Sequence, residues 1–328
     1  MTINEIAKMA GVSRATVSRY LNNGYVSAEK REVIKKVIEE TGYVPSTQAQ
    51  TLRTKKTNVI GVIIPRLNSD AIGKMISGIS SVVAAENFQL ILANTANDEK
   101  EELKYINTFK DNFVDGIILM GTIFTSRHKK LINELNIPIV ILAQKLEGCY
   151  CVYSDDYNGT KALTNVLLRK RKKIAYIGVT DKDKAAGLAR KKGYISALND
   201  NNIKYDDNYI VQCDFSLKAG YEACKELFGR GIEIEGIVCA TDNIAAGAAK
   251  YIKQSGRKIP DDVMIAGTGD NIIGTVMEPN LTSLHFYYKS SGMEAARLLM
   301  NIIKGREEGC REIKMGYSVI ERESTNIY

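Results

Sequence analysis

Residues 2–22 read TINEIAKMAGVSRATVSRYLN, and this stretch decides the N-terminal fold. Thr2 stands three residues before Glu5, the Thr-x-x-Glu spacing in which each side chain satisfies the other residue's backbone N–H at a helix start. Ile3, Ile6, Ala7 and Ala10 then share one helix face. Gly11 supplies a left-handed stop, Val12 plugs the corner, and Ser13 caps a second helix after a turn too short for anything but a crossing. In that helix Val17, Tyr20 and Leu21 take the inward spacings, which leaves Arg14, Ala15, Ser18 and Arg19 on the opposite face. The pattern predicts a helix-turn-helix whose outward residues meet a DNA major groove.

The next thirty-odd residues extend the unit. Ser27 is expected to cap a third helix from Ala28 to Thr41, with Val33, Ile34, Val37 and Ile38 turned inward and Gly42 as its stop. Pro45 then ends what precedes it, Ser46 opens a short helix through Arg53, and the Thr/Lys tail reads as a linker. A helix of about two turns is too short to be stable alone in water. Residues 1–57 hold ten Lys or Arg against five Glu, while the other 271 hold 35 against 33 acids, so the basicity is local. A short basic segment carrying a helix-turn-helix is the electrostatic footprint of a phosphate-backbone binder.

Beyond Asn58 short β-rich apolar runs alternate with helical stretches. Candidate strands are Val59–Ile64, Gln89–Ala93, Asp115–Leu119 and Ile139–Leu142, then Lys173–Gly178, Ile210–Cys213, Gly236–Ala240 and Val263–Gly267. Two such series predict two doubly wound, parallel-sheet α/β subdomains built from βαβ units. Length and composition allow this, since 328 residues with 45% hydrophobic and 25% charged content suit two or three globular domains. No apolar run approaches a transmembrane span, and the chain enters a capped helix without a basic-then-apolar leader, so a cytoplasmic protein without membrane partner is expected. The six cysteines lie mostly in apolar segments, and the close pair Cys149 and Cys151 is C-x-C. They read as reduced thiols with no metal site, and no cofactor is expected.

The order helix-turn-helix, Tyr43-Val44-Pro45, a short helix with Ala49 and Leu52, then Ile60-Gly61-Val62-Ile63-Ile64-Pro65 resembles that of the LacI/GalR family of bacterial transcription regulators. Further landmarks run to the C-terminus: Val114-Asp115-Gly116-Ile117-Ile118, Ile137-Pro138-Ile139-Val140, Arg190-Lys191-Lys192-Gly193-Tyr194, Pro279-Asn280-Leu281-Thr282 and Glu321-Arg322-Glu323-Ser324. Arg66-Leu67-Asn68-Ser69-Asp70 and Ala143-Gln144-Lys145 are similar to the sucrose-operon repressor branch.

The resemblance implies operator DNA as partner and a homodimer, since no leucine-heptad tail follows. It implies a periplasmic-binding-protein-like core with a sugar or sugar-phosphate effector between its subdomains. Those subdomains would be discontinuous, residues 58–157 plus 288–318 and residues 158–287 plus 319–328, behind a DNA-binding domain of residues 1–57. Ala49 and Leu52 match minor-groove residues. Arg190 matches an effector-contacting arginine, Phe215 and Tyr157 match ligand-wall positions, and Asn68, Gln144, Asp242 and Asp270 would supply polar contacts. Thr241-Asp242, Thr268-Gly269-Asp270 and Leu142-Ala143-Gln144 depart from the family's usual ligand carboxylates, so the sugar itself is left open.

Three other functions compete. An enzyme would need tools this chain lacks: there is no G-x-G-x-x-G after the first strand, no Walker lysine loop, no G-x-S-x-G, and its two histidines are far apart. The pairs Asp155-Asp156, Asp206-Asp207 and Asp261-Asp262 fit helix caps and turns better than acid–base or metal sites. A transport-type sugar-binding protein shares the core but not the basic headpiece. A global carbon-catabolite regulator would answer to a phosphoprotein partner instead of a small sugar.

Overall fold

The computed structural model describes residues 1–43, 56–111, 114–306, 309 and 311–326. The short helix expected over residues 46–53, with Ala49 and Leu52, lies outside the described residues. Chain contacts divide the molecule into Met1–Thr57 and Asn58–Tyr328.

Among the described residues of the first unit three helices form: α1 (Ile3–Met9), α2 (Arg14–Leu21) and α3 (Ala28–Thr41). The capping box is present, with Thr2 N–H donating to Glu5 Oε2 at 2.7 Å and Glu5 N–H donating to Thr2 Oγ1 at 3.4 Å. Ser13 Oγ accepts from Thr16 N–H at 3.2 Å, and Gly11 and Gly42 both stop their helices at φ +63°. Ile6, Ala7, Ala10, Val17, Val26, Ile34 and Val37 make the core, with Val12, Tyr20 and Leu21 packed on it. Each fully buried aliphatic side chain among them stabilises by roughly 1.5–3 kcal/mol. Val33 departs from the expected inward stripe. It is 42% exposed, because Ile34 and Val37 centre the buried face and Val33 lies about 100° of helix away from Ile34. Ser27 precedes α3 without a side-chain cap bond.

The second unit holds two six-stranded sheets. The first comprises β1 (Val59–Ile64), β2 (Gln89–Asn94), β3 (Gly116–Leu119), β4 (Ile139–Leu142), β5 (Tyr150–Ser154) and β11 (Glu312–Met315) in the order β11-β5-β4-β3-β1-β2. The second comprises β6 (Ile174–Gly178), β7 (Ile210–Gln212), β8 (Gly236–Cys239), β9 (Met264–Thr268), β10 (Thr282–Phe286) and β12 (Tyr317–Ile320) in the order β12-β10-β9-β8-β6-β7. All pairings are parallel except β10 with β12. The chain passes between the sheets three times, after Ser154, after Phe286 and at Gly316. β1, β3, β4, β6, β8 and β9 are almost wholly buried, which is why their sequences run apolar without alternation.

Helices cover both faces: α4 (Asp70–Ala85), α5 (Glu99–Lys110), α6 (Ser126–Asn133), α7 (Asp156–Leu168), α8 (Arg190–Asp200), α9 (Leu217–Gly229), α10 (Asp242–Gln254), the short α11 (Ile272–Val276) and α12 (Tyr288–Ile303). α12 returns to the first sheet and lies against α4. Glycine makes that approach possible: a Cβ on Gly78 would sit 2.0 Å from the Lys289 carbonyl oxygen, and one on Gly292 2.0 Å from that of Met75. The segment around Arg190 is helical, with a π-turn Lys184–Ala189 running into α8. No helix among the described residues is long and apolar enough to cross a membrane.

Candidate functional sites of headpiece and core

On the headpiece, α2 carries Arg14, Ala15 and Arg19 exposed and Ser18 half-buried, opposite the buried Val17. Neither arginine is held by an ion pair among the described residues. The four residues therefore form one solvent-facing strip with two uncommitted guanidinium groups, the side chain best shaped for guanine edges and phosphates.

In the core, a cavity of about 150 Å³ opens at the carboxyl ends of the strands of both sheets, where open α/β sheets bind ligands. The first sheet contributes Arg66 and Asn68 after β1, Thr122 after β3 and Gln144 after β4. The second contributes Asp183 and Arg190 from the π-turn and α8, Phe215 after β7, Thr241 after β8 and Asn271 after β9. Side-chain contacts tie the halves together across it. The Gln144 amide donates to the Thr122 carbonyl at 2.6 Å and to Asp183 Oδ1 at 3.1 Å, and the Arg66 guanidinium lies over the Phe215 ring at 3.9 Å.

Charge in this cavity is mostly balanced from within. Arg190, 7% exposed, donates from Nε to Asp156 Oδ1 at 2.7 Å and from its terminal nitrogen to the Ala240 carbonyl. Burial alone would ease its proton off, but the Asp156 charge beside it overrides this and holds the guanidinium above its ordinary value. Asp183 Oδ1 also accepts from the N–H groups of Ala185 and Ala186 at 3.0 Å each, capping the π-turn. Burial still pushes its carboxyl up.

Four of the seven ligand positions expected from sequence share this cavity: Asn68, Gln144, Arg190 and Phe215. Three do not line it. Asp242 is fully buried and accepts from Ser283 Oγ at 2.6 Å and Asn271 N–H at 2.7 Å, bracing the wall from behind. Burial pushes its carboxyl up to about 6. Asp270 is spent on Arg322 at 2.6 Å and His285 at 3.0 Å. Burial opposes the charge there, and those two partners more than offset it, so the carboxyl falls below its usual value. Tyr157 sits on a neighbouring cleft beside Lys184 and Lys314.

Sequence reasoning passed over Arg66, Asp156, Asp183 and Asn271. Arg66 stands two residues past the C-terminal end of β1, so the strand-end rule marks it. In the sequence Asp156 reads only as part of a helix start. Asp155 is the cap there, accepting from Asn158 N–H at 3.3 Å, while Asp156 faces the cavity. Asp206 and Asp262 accept from backbone N–H groups in turns, as expected. Both histidines are engaged in the fold, His128 with Glu102 at 3.1 Å and His285 with Asp270. Among the described residues no group of three or more metal-ligating side chains converges.

Comparison with known proteins follows the same division. Residues 2–46 match the model of bacterial regulatory proteins of the lacI family, and residues 166–325 match a periplasmic binding protein-like domain. The chain is 31% identical to the HTH-type transcriptional regulator RegA of Clostridium saccharobutylicum over 99% of both lengths. It is 33% identical to a sucrose operon repressor of Staphylococcus xylosus over 92% of this chain and 93% of that one. Among solved structures, a cellobiose complex of the regulator CelR matches with TM-score 0.77 and 26% identity over 99% of both chains. A lac repressor dimer bound to operator and an anti-inducer matches with TM-score 0.91 and 21% identity over 99% of both, a likeness of fold. The landmarks read from Ile60 to Ser324 are thus borne out, and the chain belongs to the lacI family of bacterial regulatory proteins, DNA-binding transcription regulators that join a helix-turn-helix headpiece to a periplasmic-binding-protein-like core.

Proposed function

We propose that this protein represses a carbohydrate-utilisation operon and leaves its operator when a sugar or sugar phosphate of the sucrose or fructose type enters the core cavity. The single observation that carries the reading is that the cavity is walled by strand ends of both sheets. A ligand there has different contacts when the halves close or part, and that difference is what any effector needs to shift an equilibrium. Phe215 offers an apolar face to a sugar ring, with Asn68, Gln144 and Arg190 around its edge. The sucrose operon repressor among the relatives supports the sugar class. A built cavity favours a small effector over control by a phosphoprotein alone.

The protein acts as a homodimer in this reading. Support comes from exposed apolar side chains, Ile91 and Leu92 on edge strand β2 and, separately, Ile272 and Val276 on α11, the last two 74% and 73% exposed. Minor-groove contacts by Ala49 and Leu52, as the family resemblance implies, belong to the same reading.

Two measurements test the proposal. In a thermal-shift screen of the full chain against sucrose, fructose, their phosphates and other disaccharides, at least one sugar or sugar phosphate raises the melting temperature and weakens operator binding. Arg14→Ala lowers operator affinity about five- to 150-fold, the value of one bidentate base contact, and relaxes the base preference at one position. Unchanged base-by-base preference in that variant would misplace the recognition face, and a screen with no binder would remove the effector.

A further inference from the structure

We infer that the second sheet carries a further ligand site, separate from the effector cavity, which takes an uncharged polyhydroxylated ring, a mono- or disaccharide. A cavity of about 570 Å³ lies at the amino ends of β6 and β7, and none of the residues that line it lines the effector cavity at the carboxyl ends. Its volume falls within the roughly 300–1,000 Å³ usual for small-molecule sites. Ile174 at the start of β6, Leu198 on α8 and Ile203 in the loop that follows give it aliphatic surface, and the half-buried Tyr205 and Tyr209 give it aromatic surface.

This lining is braced before any ligand arrives. Tyr194, fully buried, donates from its hydroxyl to the Ile174 carbonyl at 2.7 Å, and Tyr209 donates to the Glu233 carbonyl at 3.0 Å. The Arg230 guanidinium donates to the carbonyls of Asn208 at 2.6 Å and Ile210 at 3.0 Å, which ties the short turn Asp207–Tyr209 to the start of β7. Glu235 accepts from the backbone N–H groups of Lys172 and Lys173 at 2.9 Å each. A lining fixed in this way has little ordering left to lose on binding.

The balance of charge decides which ligand fits. Three lysines and two aspartates line the cavity, and Lys173 is paired with Glu233, which leaves Lys172 and Lys204 against Asp206 and Asp207. Neither Lys172 nor Lys204 is in an ion pair among the described residues. Asp206 Oδ1 accepts from Asn208 N–H at 2.9 Å and Asp207 Oδ1 from the Tyr205 hydroxyl, so each carboxylate keeps its other oxygen for a ligand. An anion entering here meets two carboxylates, and a cation meets two ammonium groups, so net charge of either sign is opposed. A sugar hydroxyl donates and accepts, and uses lysine donors and carboxylate acceptors alike. The apolar face of its ring finds the tyrosines.

The test is calorimetry on the full-length chain with glucose, sucrose and maltose, and with glucose 6-phosphate, glucosamine and the zwitterion serine as charged probes. Tyr205→Ala, Tyr205→Phe and Lys204→Met address this cavity and Phe215→Ala the other, with circular-dichroism melts to confirm folding. At least one of the three sugars is expected to show a binding step that Tyr205→Ala and Lys204→Met each weaken about three- to tenfold, the value of one aromatic contact or one hydrogen bond, and that Tyr205→Phe and Phe215→Ala leave within about twofold. The charged probes bind that site at least about tenfold more weakly than the sugar. Sugar binding that Phe215→Ala removes and the Tyr205 and Lys204 variants leave untouched overturns the inference while keeping the effector reading. A charged probe that outbinds every sugar at the Tyr205-dependent step overturns it too, as does a chain that binds none of the sugars into the millimolar range. Dependence on Tyr205 and Lys204 with none on Phe215 supports the second site even where the effector reading fails.

Discussion

Arg190→Met should cost the core far more than a ligand contact would, because Arg190 is half of a buried ion pair. The two charges approach to 2.7 Å with side chains 8% and 6% exposed. At an effective dielectric constant of about 20 their attraction is about 6 kcal/mol, against which stands the desolvation of both groups. What remains on removing one partner is an uncompensated buried Asp156, and the expected loss is about 3–5 kcal/mol. Asp156→Asn should cost a similar amount by stranding the guanidinium. Replacing both together, as Arg190→Met with Asp156→Leu, removes the desolvation along with the attraction and should return to within about 1–2 kcal/mol of the native chain. The assay is urea unfolding of each full-length variant followed by circular dichroism, since the chain has no tryptophan. A coupling energy under about 0.5 kcal/mol, or single losses under about 1 kcal/mol, would refute the reasoning, because residues that share a buried pair do not add independently. The result governs how function is read. Loss of effector response in an Arg190 variant reports on the ligand only where the double replacement, with the fold restored, is also unresponsive.

Two further predictions concern groups away from the ligand. Asp242 holds its proton to about pH 6 in the folded chain, whereas an unfolded aspartate releases it near 3.9, so the native state is progressively penalised as pH rises through that window. Paired melts should show stability falling by about 2 kcal/mol between pH 4 and 7 relative to Asp242→Asn, whose side chain does not titrate; parallel curves would contradict the burial of that carboxyl. At the α4–α12 crossing, Gly292→Ala should destabilise by about 1–3 kcal/mol, since its Cβ meets the Met75 carbonyl oxygen at 2.0 Å. Gly73→Ala in the same α4 meets nothing within 4 Å and should stabilise by about 0.5–1 kcal/mol, so denaturation of the two variants must move in opposite directions.

What was legible in the chain, and what was not, follows the range over which each feature is decided. The headpiece is written in contacts three or four residues long: Thr2 with Glu5, Ser13 with Thr16, Gly11 and Gly42 at their stops. Among the described residues, eight of the twelve strands announce themselves as short apolar runs, seven of them mostly buried and β2 an exposed edge. The four that do not, Tyr150–Ser154, Thr282–Phe286, Glu312–Met315 and Tyr317–Ile320, carry polar side chains at half or more of their positions or lie at sheet edges, and only the returning C-terminal chain gives β5 and β10 their outer neighbours. Asn68, Gln144, Arg190 and Phe215 were placed on the cavity by the family pattern, helped by the rule that strand ends carry ligands. The pattern failed for Asp242 and Asp270 because a carboxylate's availability depends on who else reaches it. Ser283 and Arg322 lie 41 and 52 residues further on, and both arrive first. Arg66 shows the same long-range effect. In the sequence it is one more cation after a proline. Its distinction is that folding lays it on Phe215, 149 positions away, on the wall of the cavity, and no local pattern records that.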